Sequence, residues 1–221
     1  MTRIPVLPLF PLNTVLFPGQ LLPLHIFEPR YREMISECIV SEAPFGVVLI
    51  REGGEVGTPA TPLDIGTTAR VVQVERLDDG RMNILCAGEA RFRLRTLNRA
   101  RAFLTGSADL YPWQPLPANE AEPRTSQVKR LITRYMHLLS KATGSTIGLE
   151  EIPTEVERLA SLAAIVLQVS NAEKQALLSS ATLGDLLDDC IHLLRRETRA
   201  LTIAASIPAE LADGGVPFSI N

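Results

Sequence analysis

The chain has 221 residues, of which 46% are hydrophobic and 21% are charged, a balance that fits a folded protein and excludes a largely disordered one. Its formal net charge is −3, so it lacks the strong positive field on which non-specific nucleic-acid binding depends. Three cysteines without CxxC spacing argue against a disulfide framework and favour a reducing cytoplasm. Five prolines among the first 23 residues exclude a signal peptide or membrane helix there.

The first half of the sequence is predicted to be rich in β-strands. Short apolar and β-branched runs alternate with turn residues, and Asp78-Asp79-Gly80 has the composition of a hairpin turn. A single helix interrupts this half, because apolar residues recur from Tyr31 onward at a spacing of three and four. The predicted strands are Ile4–Phe10, Leu21–Phe27, Phe45–Ile50, Thr67–Leu77, Met82–Cys86, Ala90–Leu97 and Ala102–Leu110.

A proline-rich segment follows the strands. Pro112, Pro115, Pro117 and Pro123 lie between Tyr111 and Arg124, and each removes a backbone donor. We therefore expect a connector that belongs to neither a sheet nor a helix and that a protease cuts first. It places a boundary between a β-rich subdomain, 1–117, and a helical subdomain, 118–206.

Helical signals fill the second half. A stripe from Val128 to Leu139 predicts a helix that Gly144 ends. Thr154-x-x-Glu157 and Ser170-x-x-Glu173 match the capping box and predict two helix starts, and a last helix is predicted from Thr182. Residues 207–221 are expected to form a flexible tail. The fold class is therefore α+β, with a β-rich half and one inserted helix followed by a helical bundle.

No pattern for catalysis, a cofactor or a metal is present in the sequence. No lysine follows a GxxxxG loop, no GxSxG motif occurs, and His25, His137 and His192 include no pair at i, i+4. We predict a protein that is not an enzyme. Arg91, Arg93 and Arg95 alternate with apolar residues and predict a solvated strand face, with an RNA or acidic-protein contact as the alternative.

Three segments carry a resemblance to a known family. They are PVLPLFPLNTVLFPGQLLPLHIFEPRYREMI at 5–35, GEARFRLRTL at 88–97 and NAEKQALLSSATLGDLLDDCIHLLRRE at 171–197. Together they resemble the N-terminal, substrate-binding domain of Lon proteases, in a stand-alone form without the ATPase and peptidase modules. The resemblance implies a β pseudobarrel similar to the PUA-like fold, followed by a helical bundle.

The same resemblance implies a non-catalytic module that binds protein. The expected partners are unfolded or tagged proteins, a separate Lon protease as a proteolysis partner, or a second copy in a homo-oligomer. A small-molecule-binding PUA-like domain is the alternative, and an RNA-binding protein is a weaker one because the charge balance is flat. Neither a membrane nor nucleic acid is an expected partner.

Three aromatic residues are the candidates for protein binding. Phe17 lies in the LFPG turn, and Tyr111 and Trp113 lie beside prolines, where exposed apolar side chains could contact unfolded clients. The alternative interpretation is that they pack the two halves of the chain together. If they bind clients, we expect Phe17 and Trp113 to matter more than the arginine row, because burying a large side chain contributes more than an exposed ion pair.

Overall fold

The computed structural model describes residues 2–55, 60–144 and 151–206. In these ranges, strands occupy the first half and the second half is helical, apart from one helix between the second and third strands. The elements are β1 (Arg3–Leu12), β2 (Leu21–Ile26), α1 (Pro29–Val40), β3 (Phe45–Glu52), β4 (Thr61–Arg76), β5 (Met82–Asn98), β6 (Leu104–Leu110), α2 (Ala118–Thr143), α3 (Val156–Val166), α4 (Asn171–Ser179) and α5 (Leu183–Ser206).

The six strands form one mixed sheet in the order β2-β5-β4-β3-β1-β6. Strand β6 also pairs with β5, so β5, β4, β3, β1 and β6 make a closed ring of pairings. Within the part of the chain that the structure describes, strand β2 pairs with β5 alone, and its other edge is unpaired. The β1–β3 pair is parallel and the other pairs are antiparallel.

A small apolar cluster around Phe92 fills the space inside the ring. Its buried neighbours are Leu7, Leu9, Val48 and Ala108. A Cβ atom at Gly66 would lie 2.8 Å from Phe92 Cζ and 2.3 Å from the backbone oxygen of Val47. Glycine is therefore required beside the Phe92 ring, because any side chain would collide with backbone.

Helix α1 covers the face of the sheet that lies outside the ring. It begins at Pro29, in the first-turn position that suits proline. Its buried residues include Tyr31, Met34 and Ile35, and the Tyr31 ring stacks on Phe10 with centroids 4.2 Å apart. This confirms the predicted apolar stripe of the helix.

A third core joins the two halves of the chain. Val15, Phe17 and Trp113 from the first half pack in one buried cluster with residues of α2 to α5. Gln175 of α4 is buried there too, and its Nε2 donates to the backbone oxygen of Ile65 at 3.0 Å. The two halves therefore share buried apolar surface, which each half on its own would expose to water.

Two strand predictions were wrong in extent. Met82–Cys86 and Ala90–Leu97 are parts of the single strand β5, which shifts register against β4 between them. At that shift the Gly88 N–H donates to the Gln20 oxygen at 2.9 Å, so the loop after β1 packs there. Glycine weakens a strand pattern in sequence, although here it admits a close backbone contact.

The predicted connector was wrong in part. Residues 111–117 lie outside the named strands and helices, but helix α2 begins at Ala118 and includes Pro123, and Trp113 is buried. The Gln114 N–H donates to the Ala181 oxygen at 3.0 Å, and the Leu183 N–H donates to the Gln114 oxygen at 3.0 Å. These contacts remove the reason to expect that a protease cuts this segment first.

Of the two predicted capping boxes, the structure confirms one. The Ser170 hydroxyl accepts from the Glu173 N–H, and the Glu173 carboxylate accepts from the Ser170 N–H. The box at Thr154 was wrong, because α3 begins at Val156 with Glu155 as its cap residue and no side-chain cap bond. Gly144 ends α2 with φ 66°, as predicted. The predicted tail lies outside the described residues.

Candidate functional site: a groove and a sheet face

The LFPG segment is a turn held against β5. The Gly19 N–H donates to the Gly88 oxygen at 2.9 Å, and Gly19 has φ 82°, which glycine adopts without strain. Phe17 and Trp113 are buried, with 0% and 4% of their surfaces exposed. The expectation that these two side chains are exposed was wrong, and their burial agrees with the alternative that they pack the halves together. Whether they contribute to client binding stays a prediction.

A groove, here the interlobe groove, runs between the sheet and the helices. It consists of two adjoining cavities of about 570 and 360 Å³ that share Glu89 and Glu157 in their walls. The larger cavity is lined by Tyr111, Trp113 and the neighbouring prolines, and the smaller one by Pro18 and Gly19 of the turn with residues of α3. The candidate residue Tyr111 thus lies in a cleft.

An alternating stack of aromatic rings and guanidinium groups forms one wall of this groove. The Arg91 guanidinium lies 4.0 Å from the Trp113 ring centroid and 4.7 Å from that of Tyr111. Arg93 lies 4.1 Å from the Tyr111 centroid. The order Trp113, Arg91, Tyr111, Arg93 places each cation on at least one π-face, which stabilises it electrostatically.

Hydrogen bonding in the stack is incomplete. Arg91 Nη2 donates to the Ser180 oxygen at 3.0 Å, at the C-terminus of α4. Arg91 Nε and Nη1, Arg93 Nε and Trp113 Nε1 are buried and meet no acceptor in the described part of the chain. Burial lowers the pKa of Arg91 to about 10, while Tyr111 and Glu157 raise it and Arg93 lowers it. The group therefore stays cationic at neutral pH.

The predicted solvated arginine row was wrong for its first member. Arg91 is buried at 2% exposure, whereas Arg95 is exposed and pairs with Asp109 of β6 at 2.8 Å. The alternation in sequence identifies which residues share a face, but the burial of Arg91 comes from the packing of Tyr111 and Trp113 over that end of the strand. No local sequence pattern predicts that packing.

A half-buried lysine that the sequence did not single out lies beneath the turn. Lys174 Nζ donates to the backbone oxygens of Ala164 and, at 2.9 Å, Ile165, in the last turn of α3. It also lies 5.8 Å from the Phe17 ring centroid. Burial lowers the pKa of Lys174 to about 8. The cation sits where the helix dipole favours it.

The second candidate surface is the outer face of β2, β5 and β4, here the outer sheet face. In the register, Leu21 lies opposite Ala87, and Pro23 lies opposite Leu85. The intervening Leu22 and Leu24 pack toward α1, so Leu21 and Pro23 face outward. Leu21 is 57% exposed.

Polar groups border this apolar face. At one end His25 Nδ1 and Asn83 Oδ1 lie 2.7 Å apart, and Asn83 Nδ2 donates to Glu75 at 2.8 Å. At the other end Arg70 pairs with Glu89 at 2.6 Å. An apolar centre with a polar rim is the usual composition of a protein-binding patch. In the sequence, the pattern that could have indicated this surface is the occurrence of apolar residues on both faces of LLPLHI, the sequence of β2.

The described residues offer little for catalysis. They contain no group of three or more His, Cys, Asp or Glu side chains that could hold a metal. Cys38, Cys86 and Cys190 are free and buried, and burial raises the thiol pKa of Cys38 to about 11 and of the other two to about 12. Such thiols are poor nucleophiles at neutral pH. None of the described helices has the length and apolar character needed to span a membrane.

Comparison with known proteins places this architecture. The chain is 29% identical over 205 residues to Lon protease 2 of Myxococcus xanthus and 26% identical over 206 residues to the Lon protease of Haemophilus influenzae. These matches cover 91% and 92% of the chain and 25% of each relative. The chain thus spans about a quarter of the length of the curated relatives it matches.

Two solved structures share the fold. A Lon N-terminal domain protein from Xanthomonas campestris matches with a TM-score of 0.62 at 23% identity, over 93% of this chain and 100% of the other. The N-terminal domain of a Mycobacterium avium complex Lon protease matches with a TM-score of 0.66 at 18% identity, over 86% and 98%. The family model described as the ATP-dependent protease La (LON) substrate-binding domain matches residues 6–196. The chain belongs to the family of Lon substrate-binding domains.

Proposed function

We propose that the chain is a non-catalytic recognition module that binds unfolded or tagged protein segments. Family membership supports this role, because the matched residues 6–196 correspond to the substrate-binding domain and to no ATPase or peptidase. The closed ring of strands and the following helices are in keeping with a PUA-like pseudobarrel and a helical bundle. We also propose that the protein is cytoplasmic and works with a separate Lon protease. A second copy of the chain is a further proposed partner, in a homo-oligomer.

The outer sheet face is the observation that carries this proposal. Unfolded proteins differ from folded ones chiefly in their exposed apolar side chains, so a surface that selects them should itself be apolar. Leu21 exposes more than half of its surface, and Phe27, just after β2, exposes 48%. Strand β2 also leaves one edge unpaired within the sheet. An extended client segment can pack there without any rearrangement of the core.

The two alternatives from the sequence have less support. RNA binding needs accessible cations, but Arg91 is buried and Arg95 pairs with Asp109. A small-molecule domain is not favoured by the comparisons, which match substrate-binding domains and proteases.

Substitution of the outer sheet face tests the proposal. Leu21→Ser combined with Phe27→Ser should weaken binding to reduced, carboxymethylated lactalbumin about tenfold, because two side chains lose apolar contact area. Fluorescence anisotropy of the labelled client measures the affinity. Both positions are exposed, so circular dichroism should show the same fold as the parent chain.

Val40→Ser is the matched control. Val40 is 84% exposed at the end of α1, on the opposite side of the sheet. The Val40→Ser substitution therefore removes apolar area from a different surface. Its affinity should equal that of the parent. Equal losses in the Val40 variant and the double variant, or no loss in either, would show that the outer sheet face does not select clients.

A further inference from the structure

We propose that the larger cavity of the interlobe groove binds a carboxylate group on an extended peptide, with Arg91 as the residue that recognises it and Tyr111 and Trp113 as the walls that hold the adjacent apolar side chain. This inference rests on the proposed function, since the peptide is a segment of a client. It adds a chemical preference to a role that otherwise depends on apolar area.

The charge of the stack is the first argument. Arg91 and Arg93 form no ion pair with any described residue, and three of their N–H groups are buried without an acceptor. A buried donor without a partner destabilises the fold, and more so when it is charged. A carboxylate oxygen that approached Arg91 from the cavity could accept from Nη1, in a charge-assisted hydrogen bond that is stronger than one to a neutral acceptor.

The walls of the cavity are the second argument. Tyr111, Pro112, Trp113 and Pro115 are rigid, largely apolar groups along one side of a cavity of about 570 Å³. Rigid aromatic and proline walls bind apolar groups with little loss of conformational entropy. The fitting ligand therefore carries an apolar side chain next to its carboxylate.

The rim explains why a peptide fits better than a polyanion. Glu157 and Glu89 line the same cavity. Glu157 is exposed at the start of α3, and its charge acts on Arg91. These acids repel a phosphate dianion or a nucleic-acid strand more strongly than a single carboxylate, because the repulsion grows with the charge. Glu157 should therefore weaken the binding of any carboxylate while leaving a neutral peptide unaffected.

Three fluorescein-labelled pentapeptides test the assignment. One ends in two leucines with a free carboxylate, the second is the same peptide with a carboxamide end, and the third has a carboxamide end and a glutamate between two leucines. At least one carboxylate peptide should bind the parent chain about tenfold more tightly than the neutral peptide, as expected for one charge-assisted contact. The first and third peptides distinguish a chain terminus from an acidic side chain.

Variants locate the contact. Arg91→Gln should abolish the carboxylate preference, whereas Arg95→Gln on the same strand should retain it. Glu157→Gln should increase the preference about threefold, since it removes a like charge from the rim. Glu155→Gln is its control, because Glu155 is also exposed but lines only the smaller cavity and the adjacent surface.

Equal affinity for all three peptides would overturn the inference, as would a carboxylate preference that survives in folded Arg91→Gln. If Arg91→Gln does not fold, the Glu157→Gln variant provides the test. An unchanged carboxylate preference in that variant would also overturn the inference. If a labelled single-stranded oligonucleotide binds more tightly than the peptides, and its binding depends on Arg91, the ligand of this cavity is nucleic acid and the inference is overturned. If lactalbumin binds through the outer sheet face but the peptides bind alike, the proposed function stands and this inference fails. If neither binds, both fail.

Discussion

At the scale of single residues, a buried arginine and a half-buried lysine lie close to the groove and differ in how their charges are compensated. Arg91 is held between two aromatic rings and leaves donors unmet. Lys174 donates to two carbonyl oxygens of α3. Only the lysine has a pKa near the range in which it can lose its charge, because burial lowers the pKa of Lys174 to about 8.

Lys174 therefore predicts a pH dependence of stability. The unfolded chain binds the proton with a pKa near 10.5 and the folded chain with one of about 8, so between these values the unfolded state holds more protons and stability rises with pH. Below pH 8 both states are protonated and the cost of burying the charge is fully present. We expect Lys174 to contribute a rise of about 1–2 kcal/mol across the window, since the amine is partly exposed.

Lys174→Met isolates this contribution. Urea unfolding of the parent and the variant from pH 7 to 10.5 gives the difference in unfolding free energy, in which the titrations that the two proteins share cancel. The parent should gain stability relative to the variant above pH 8. A difference that stays constant with pH would mean that Lys174 keeps its ordinary pKa in the folded protein.

At the scale of elements, the two predicted capping boxes have the same sequence motif, but only the one at Ser170 forms the cap hydrogen bonds. Ser170→Ala should lower the free energy of unfolding by about 1 kcal/mol, because the structure shows both cap bonds. Thr154→Ala should change it by less than about 0.5 kcal/mol, since Glu155 precedes α3 without a side-chain cap. Urea midpoints at a fixed slope compare the two. A similar loss in both variants would contradict the placement of the α3 start.

The elements that the sequence predicted well are those with strong local patterns. Tyr31 and the apolar residues after it give α1, and Asp79-Gly80 gives the turn between β4 and β5, where the Gly80 N–H donates to the Leu77 oxygen at 2.9 Å. Tertiary contacts decided the others. Gly88 lies inside one strand because the LFPG loop packs on it, and Pro123 is tolerated in α2 at an exposed position.

The candidate site was predictable only in part. Tyr111 and Trp113 were identified from their proline neighbours, and both line the groove. Their partners Arg91 and Glu157 lie on β5 and α3, which only the folded chain brings together. Leu21 was missed because a half-exposed apolar residue in a strand has the same local pattern as a core residue.

At the scale of the whole molecule, one apolar core connects the halves and leaves two surfaces for recognition. Trp113, which lines the groove, is buried in that core together with Phe17 and Tyr135, so a stable interface holds this part of the groove wall in place. The outer sheet face lies on β2, β5 and β4, strands that are fixed by their pairing. Recognition surfaces on such rigid elements bind with little ordering cost.

Backbone amide shifts measured by NMR during a titration with reduced, carboxymethylated lactalbumin test the central claim most directly. If the chain recognises unfolded protein through the outer sheet face, the largest shifts should fall on β2 and on the neighbouring parts of β5 and β4, including Leu21, Gln73 and Leu85. The end of α1 at Val40 should be unchanged. Shifts concentrated at Val40 or along the exposed side of α5, with β2 unaffected, would contradict the account.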